Sequence, residues 1–251
     1  GESESENMRD RIERFLMLLW DSRLEIGHSV RTIDECVKES GDDITVATNI
    51  MESRLLAGDH ALFDQMRERT GPDATWNSKD FFQAKLEEQL QRNGKYNDTS
   101  YNLEPNIKEG PGGLRDIQMI SWVTRRHFGA RTLHGLVENG VITEREHDDL
   151  VGGQRLLWRI RYALHLLAGR GEDRLLFDYQ RQIAERFGFK DSATALAVEQ
   201  FMQLYYRTVM RLERLNESLL QLLQEILSPR APAEVRELTG EFRVRNGYLE
   251  P

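Results

Sequence analysis

Apolar positions recur at three- and four-residue spacings along most of the chain, the repeat of helices that bury one face. Ile12, Phe15, Leu16, Leu19 and Trp20 share such a face, which predicts a helix over Met8–Trp20 behind a polar, acidic start at Gly1–Asn7. Leu24–Val30 alternates instead and runs into a polar turn, so a strand is predicted over Leu24–Arg31. Thr32 or Asp34 can cap a helix through Lys38 that turns Cys36 and Val37 inward. Asp42-Asp43 precede another, Ile44–Ala57, which Gly58 ends. Asp59–Arg69 continues as amphipathic helix, and Thr70–Ser78, punctuated by Gly71-Pro72, reads as a loop. Ser78 is placed to cap Lys79–Asn93, with Phe81, Phe82, Leu86 and Leu90 inward.

The second half repeats the pattern more strongly. Leu114, Ile117, Ile120, Trp122 and Val123 predict a helix from Leu114 to His127 that stops at Gly129, with Arg125-Arg126-His127 favourably placed at the negative end of its dipole. Thr132–Asn139 is a short helix closed by Gly140. Thr143 and Glu146 form a capping-box pair that opens a helix to Ala168, on which Trp158, Ile160, Leu164 and Leu167 look like core. After a break at Gly169–Asp173 and a short apolar run, Gln180–Phe187 is helical and ends at Gly188. The longest helix starts at Asp191 or Ser192 and reaches Leu227, and its stripe of Met202, Tyr205, Val209, Leu212, Leu219 and Leu223 is that of a bundle core. The fold class is therefore mainly α, a helical bundle, with an α/β piece in front where the predicted strand falls.

Composition narrows the function classes. A formal net charge of −8 argues against a general nucleic-acid binder, whose footprint is basic. The single Cys36 excludes an intrachain disulfide and fits a reducing, cytoplasmic setting. No apolar run approaches the ~18 residues of a membrane helix. With 251 residues, one large or two smaller domains are expected, and the loop near residue 70 is the natural junction.

Chemistry concentrates in Asn102–Gln118, NLEPNIKEGPGGLRDIQ. Pro105, Pro111 and Gly112-Gly113 break regular structure just before a helix start, where unpaired backbone N–H groups and the positive dipole end favour anions. Lys108 and Arg115 flank Gly110, Gly112 and Gly113 with positive charge, and Asp116 adds a carboxylate that can orient Arg115 or bind a metal-bound water. That combination suits a phosphate, although a glycine-rich loop can equally serve just to start a helix. Tyr96, Tyr101 and Asn102 can contact a base or ribose or simply pin the loop. Arg161 and His165, four apart on one helix face, form a second polar pair, which a structural role would also explain.

NIKEGPGGLRDIQ resembles the signature of the bifunctional PII uridylyltransferase/uridylyl-removing enzymes, and FLMLLWDSRLEIGHSVRT, ITVATNIMESRLLAGD and LLWRIRYALHLLAGRGEDRLLFDYQ fit the same family in order. The resemblance implies an internal piece: residues 1–70 the end of a nucleotidyltransferase palm, 71–232 the helical domain beside it, and 233–251 a run toward a phosphohydrolase-type domain. It implies UMP transfer from UTP to a tyrosine of the PII signalling protein, removal of that UMP, glutamine as effector and Mg2+ as cofactor. Lys108, Gly110, Gly112, Gly113, Arg115 and Asp116, with Asn102, Arg161 and His165, are the implied nucleotide-site residues. The palm's Gly-Ser turn and Asp-x-Asp pair are missing, so this chain alone is not expected to catalyse transfer; Glu25, on the predicted strand, is the one candidate for a palm carboxylate. A non-catalytic docking or regulatory module and a glutamine synthetase adenylyltransferase are the competing readings.

Overall fold

The computed structural model describes residues 2–23, 26–72, 74–95, 102–130 and 132–227, with the backbone of three short strands beyond them. It is mainly α, with ten described helices. The first, α1 (Glu2–Asp21), takes in the acidic start and so begins six residues earlier than predicted. Its apolar side is not core: Phe15 and Trp20 are 59% and 50% exposed. An amphipathic pattern dictates a helix but not what covers it.

The predicted strand fails where it is described. Ile26–Arg31 is irregular chain, and residues 24 and 25, with candidate Glu25, lie outside the described residues. A strand needs a neighbour for its ladder of N–H and C=O groups, and the described strands, β1 (Val235–Thr239), β2 (Phe242–Arg245) and β3 (Tyr248–Glu250), pair antiparallel with one another.

Local signals place the next helices. Thr32 accepts from the Glu35 N–H and Glu35 answers to the Thr32 N–H, a capping box that starts α2 (Ile33–Asp42). Asp43 caps α3 (Ile44–Glu52), which ends five residues earlier than predicted because the Ser53 N–H and hydroxyl both turn back to the Ile50 carbonyl. Asp59 caps α4 (His60–Arg69). Asn77, not Ser78, caps α5 (Ser78–Lys95), accepting from the Asp80 N–H. On α5 the buried face is Phe81, Phe82, Lys85 and Gln89, while Leu90 faces solvent.

The central helix α6 (Leu114–Phe128) is buried on most sides and ends at left-handed Gly129 as its sequence predicts. After α7 (Gly135–Glu138), the Thr143–Glu146 box starts α8 (Glu144–Ala168). Ile160 and Leu164 are core there, but Trp158 is 45% exposed. Helices α9 (Phe177–Arg186) and α10 (Ala197–Leu227) complete the bundle, α10 starting later than predicted. One core joins α6, α8, α9 and α10 around Ile117, Leu157, Ile183 and Tyr205. A second, of Phe81, Phe82, Met119, Trp122 and Leu223, lies between α5, α6 and the end of α10.

The basic cluster at the end of α6 has a use that the dipole does not supply. Arg126 turns inward, 4% exposed, and donates to the carbonyls of Thr70, Gly71 and Trp76 and to the Thr75 hydroxyl. Trp76 in turn donates its indole N–H to the Ser40 carbonyl at 2.8 Å. These bonds tie the turn after α4 to both α2 and α6.

Candidate functional site

The glycine segment folds back on itself before α6. Asn106 Oδ1 accepts from the N–H groups of Lys108 and Glu109, closing a tight turn. The Gly110 N–H then donates to the Asn106 carbonyl, Gly113 to Gly110, Leu114 to Ile107, Arg115 to Lys108 and Asp116 to Gly113. Gly112, at φ +68°, donates to Asp116 Oδ2 at 2.8 Å. The N–H groups of Gly110, Gly112 and Gly113 that were expected to cradle a phosphate are thus already occupied, and all three glycines are buried. Their small size serves close packing: a Cβ on Gly113 would stand 2.6 Å from the Gly110 carbonyl oxygen, and one on Gly112 would collide with the backbone of Val209 on α10.

What faces outward is side chains. Glu109 accepts from Arg115 at 3.2 Å and lies 3.5 Å from Lys108 Nζ. Lys108 also reaches within 4.0 Å of Asp173, which takes Arg161 Nε at 2.6 Å and His165 Nε2 at 3.3 Å. Hydrogen bonds from Ile107 to the Asp173 carbonyl and from Leu175 to the Pro105 carbonyl zip the two segments together. Lys108, Arg115, Arg161 and His165, far apart in sequence, therefore share one half-exposed network. Glu109 and Asp173, which hold it together, were not among the predicted site residues. Asn102 stands apart as scaffold: its side chain turns to the Glu104 N–H and its carbonyl accepts from the Tyr206 hydroxyl. Tyr96 and Tyr101 lie outside the described residues.

Asp116 is buried and does not orient Arg115. It takes Arg92 Nη2 of α5 on one oxygen and the Gly112 N–H on the other. Burial pushes its carboxyl up to about 6, against the pull of Arg92 and that N–H, and Glu213 adds to the rise. The folded chain therefore holds this proton more tightly than the unfolded chain does. The stabilising contribution is complete below about pH 4 and is lost as pH rises through about 6. Urea midpoints between pH 4.5 and 7 are the check: the parent chain should lose stability relative to Asp116→Asn as pH rises, and parallel profiles would place the titration elsewhere. Asp173 behaves oppositely. Burial alone would raise it, but the hydrogen bonds from Arg161 and His165 and the charges of Arg161 and Lys108 outweigh that and hold it below the usual carboxylate range.

These carboxylates do not fit a magnesium site, since Asp116, Asp173 and Glu109 each already face a cation. No group of three His, Cys, Asp or Glu among the described residues could hold a metal. The one His-Asp dipeptide, His147-Asp148 on α8, sets His147 Nδ1 3.7 Å from the Asp148 carboxylate and belongs to no metal-holding group among the described residues. No described helix is long and apolar enough to cross a membrane.

Residues 80–220, which carry the whole network, match the family model described as GlnD PII-uridylyltransferase. The chain belongs to that family. It is 50% identical over 248 residues to a bifunctional uridylyltransferase/uridylyl-removing enzyme of Pseudomonas aeruginosa (strain UCBPP-PA14), covering 98% of this chain. Enzymes of the same description from Pseudomonas putida (strain F1) and Azotobacter vinelandii (strain DJ) are 51% identical over 251 and 249 residues, or 100% and 99% of the chain. The chain spans 28% of the length of these relatives. No solved structure matches it.

Proposed function

We propose that the chain is the helical part of an enzyme that moves UMP from UTP to a tyrosine of the PII signalling protein and takes it off again, with glutamine as the effector and the cytoplasm as its place of work. The single observation that carries this reading is the Lys108–Glu109–Arg115–Asp173 network inside the segment that matches the family. In the transfer, the tyrosine hydroxyl gives up its proton to solvent, its oxygen bonds to the α-phosphorus while the bond to pyrophosphate breaks, and negative charge grows on the departing group. Lys108 and Arg115 are the side chains we assign to meet that charge, each released from Glu109 as the phosphates arrive. Arg161 and His165 hold Asp173, which keeps Lys108 in reach. Magnesium would neutralise the triphosphate, held by residues other than the described carboxylates.

The test exchanges the aligned residues of the Pseudomonas putida relative for this chain and follows labelled UMP from UTP onto purified PII. Transfer should persist in the exchange and fall at least about tenfold with Lys108→Ala or Arg115→Ala, the usual scale for losing one positive group at a developing charge. Unchanged transfer in both variants would reduce this stretch to a docking surface, and transfer with ATP in place of UTP would move it to the adenylyltransferases.

A further inference from the structure

A second polar cavity opens between α3, α5 and α6, touching the network above just at Glu109 and Arg115. It has a volume of about 400 Å3, within the range of small-molecule sites, and its walls include Thr48, Asn49, Lys85, Arg92 and Trp122. Lys85 belongs to its floor. The residue is 2% exposed, its ammonium lies 4.8 Å over the Trp122 ring, and its carboxylate partner is Glu88 at 2.6 Å. Glu88 itself is 47% exposed and free to rotate toward water. Arg92, 13% exposed, lies beside it with Nη2 on Asp116 and with its Nε 3.9 Å from Glu109 Oε2, too far for a hydrogen bond, so that this buried N–H has no hydrogen-bond partner. Glu52, the remaining acid of the α3 wall, is engaged by the Trp122 indole N–H at 2.7 Å.

Burying an ammonium is costly without an anion beside it. Here that anion comes from a rim side chain able to leave, and a second, mostly covered cation has an N–H that its neighbour Glu109 does not reach for a hydrogen bond. We infer that this cleft binds a phosphate-class anion, pyrophosphate or the phosphate chain of a nucleotide, on Lys85 and Arg92, with Glu88 as the counter-ion it displaces. The inference deepens the nucleotide reading above and rests on it for the ligand class. It differs in naming α5, rather than the glycine segment, as the main phosphate-holding element. Thr48 and Asn49 then offer neutral hydrogen bonds from α3, and Arg115 forms the shared wall.

Glu88 gives the test its sign. A merely structural ion pair weakens the protein when broken, whereas a displaced competitor strengthens binding when removed. The 251-residue chain is titrated calorimetrically with inorganic pyrophosphate and, separately, with UTP, each with and without Mg2+. Glu88→Gln, at an exposed position, should tighten pyrophosphate binding about tenfold, and Asn49→Asp, also exposed, should weaken it about tenfold by adding a like charge to the wall. Tighter binding of UTP than of pyrophosphate would identify a nucleotide as the source of the phosphates, and the reverse would identify the free product. Unchanged or weaker binding in Glu88→Gln overturns the inference, as does absence of saturable binding in both the parent chain and that variant. Binding lost in Lys108→Ala but indifferent to residues 49 and 88 would likewise overturn it. That last result would leave the proposed function standing on Lys108, and UMP transfer by the exchanged enzyme judges that function separately.

Discussion

A Gly112→Ala chain is expected to unfold with about 3 kcal/mol less resistance than the parent. Two costs add. A left-handed φ of +68° disfavours any residue with a Cβ by roughly 1 kcal/mol. The new methyl would also press into the Val209 carbonyl and stand 2.8 Å from Val209 Cγ1, and forced overpacking of this kind costs about 1–3 kcal/mol. Because the neighbour is helix backbone, it cannot swing aside. In a chain of this size the loss corresponds to a fall of roughly 10 °C in Tm, readable by circular dichroism. A change below about 1 kcal/mol would mean that the segment relaxes away from α10 and that its close packing is dispensable. Gly129→Ala is a useful comparison: its φ is equally left-handed, at +67°, but a Cβ there meets nothing within 4 Å, so the conformational cost alone should appear.

Arg126→Met should cost more, about 4 kcal/mol. Methionine fills much the same space but donates nothing, which strips the Trp76 carbonyl of its donor, takes one donor each from the Thr70 and Gly71 carbonyls, and loses the bond to the Thr75 hydroxyl. Contact between the guanidinium and the Phe81 ring, 5.5 Å to its centroid, is lost as well. Urea unfolding gives the free energy, and proteolysis should find a new cut in the 70–76 turn. Arg126→Lys distinguishes charge from geometry. A lysine ammonium keeps the charge but cannot serve three carbonyls spread around a planar fork, so it should recover less than half of the loss. Full recovery would show that a buried positive charge, rather than the fork, is what the turn requires.

How legible this was in the sequence depends on range. The Thr143–Glu146 box and the glycine stops at 129, 140 and 188 were readable because each acts within five residues of itself. Long-range features were less so. Nothing local distinguishes a glycine whose N–H faces a ligand from one whose N–H faces its own chain, and in the Gly-Pro-Gly-Gly segment the second holds. Alternation at Leu24–Val30 implied a strand, but the ladder partner a strand requires is not described beside Ile26–Arg31. Leu90 and Trp158 keep helical spacing and still face solvent, because spacing gives a face and packing decides whether it is covered. Lys85, Gln89 and Arg92 did leave a trace. They follow Phe81 at intervals of four, four and three, so polar residues continue an apolar stripe inward. A charged residue on a buried face, rather than a motif, was the signal that could have located the α5 cleft.

The Arg126 bonds also span long stretches of chain. Helices α2, α3 and α4 touch one another over short stretches of chain, so they can assemble early and cheaply in loop entropy. Part of their hold on the rest, beside the Glu52–Trp122 bond of α3, runs through a guanidinium some fifty residues downstream, a separation of 50 to 56 positions for the carbonyls it serves. Within the turn, the Ala74 and Thr75 N–H groups serve the Gly71 carbonyl and the Thr75 hydroxyl serves the Thr70 carbonyl, but the Trp76 carbonyl is served by the side chain that α6 presents. Closure of the 70–76 turn against α2 therefore depends on a long-range bond from the helix that opens with the glycine segment.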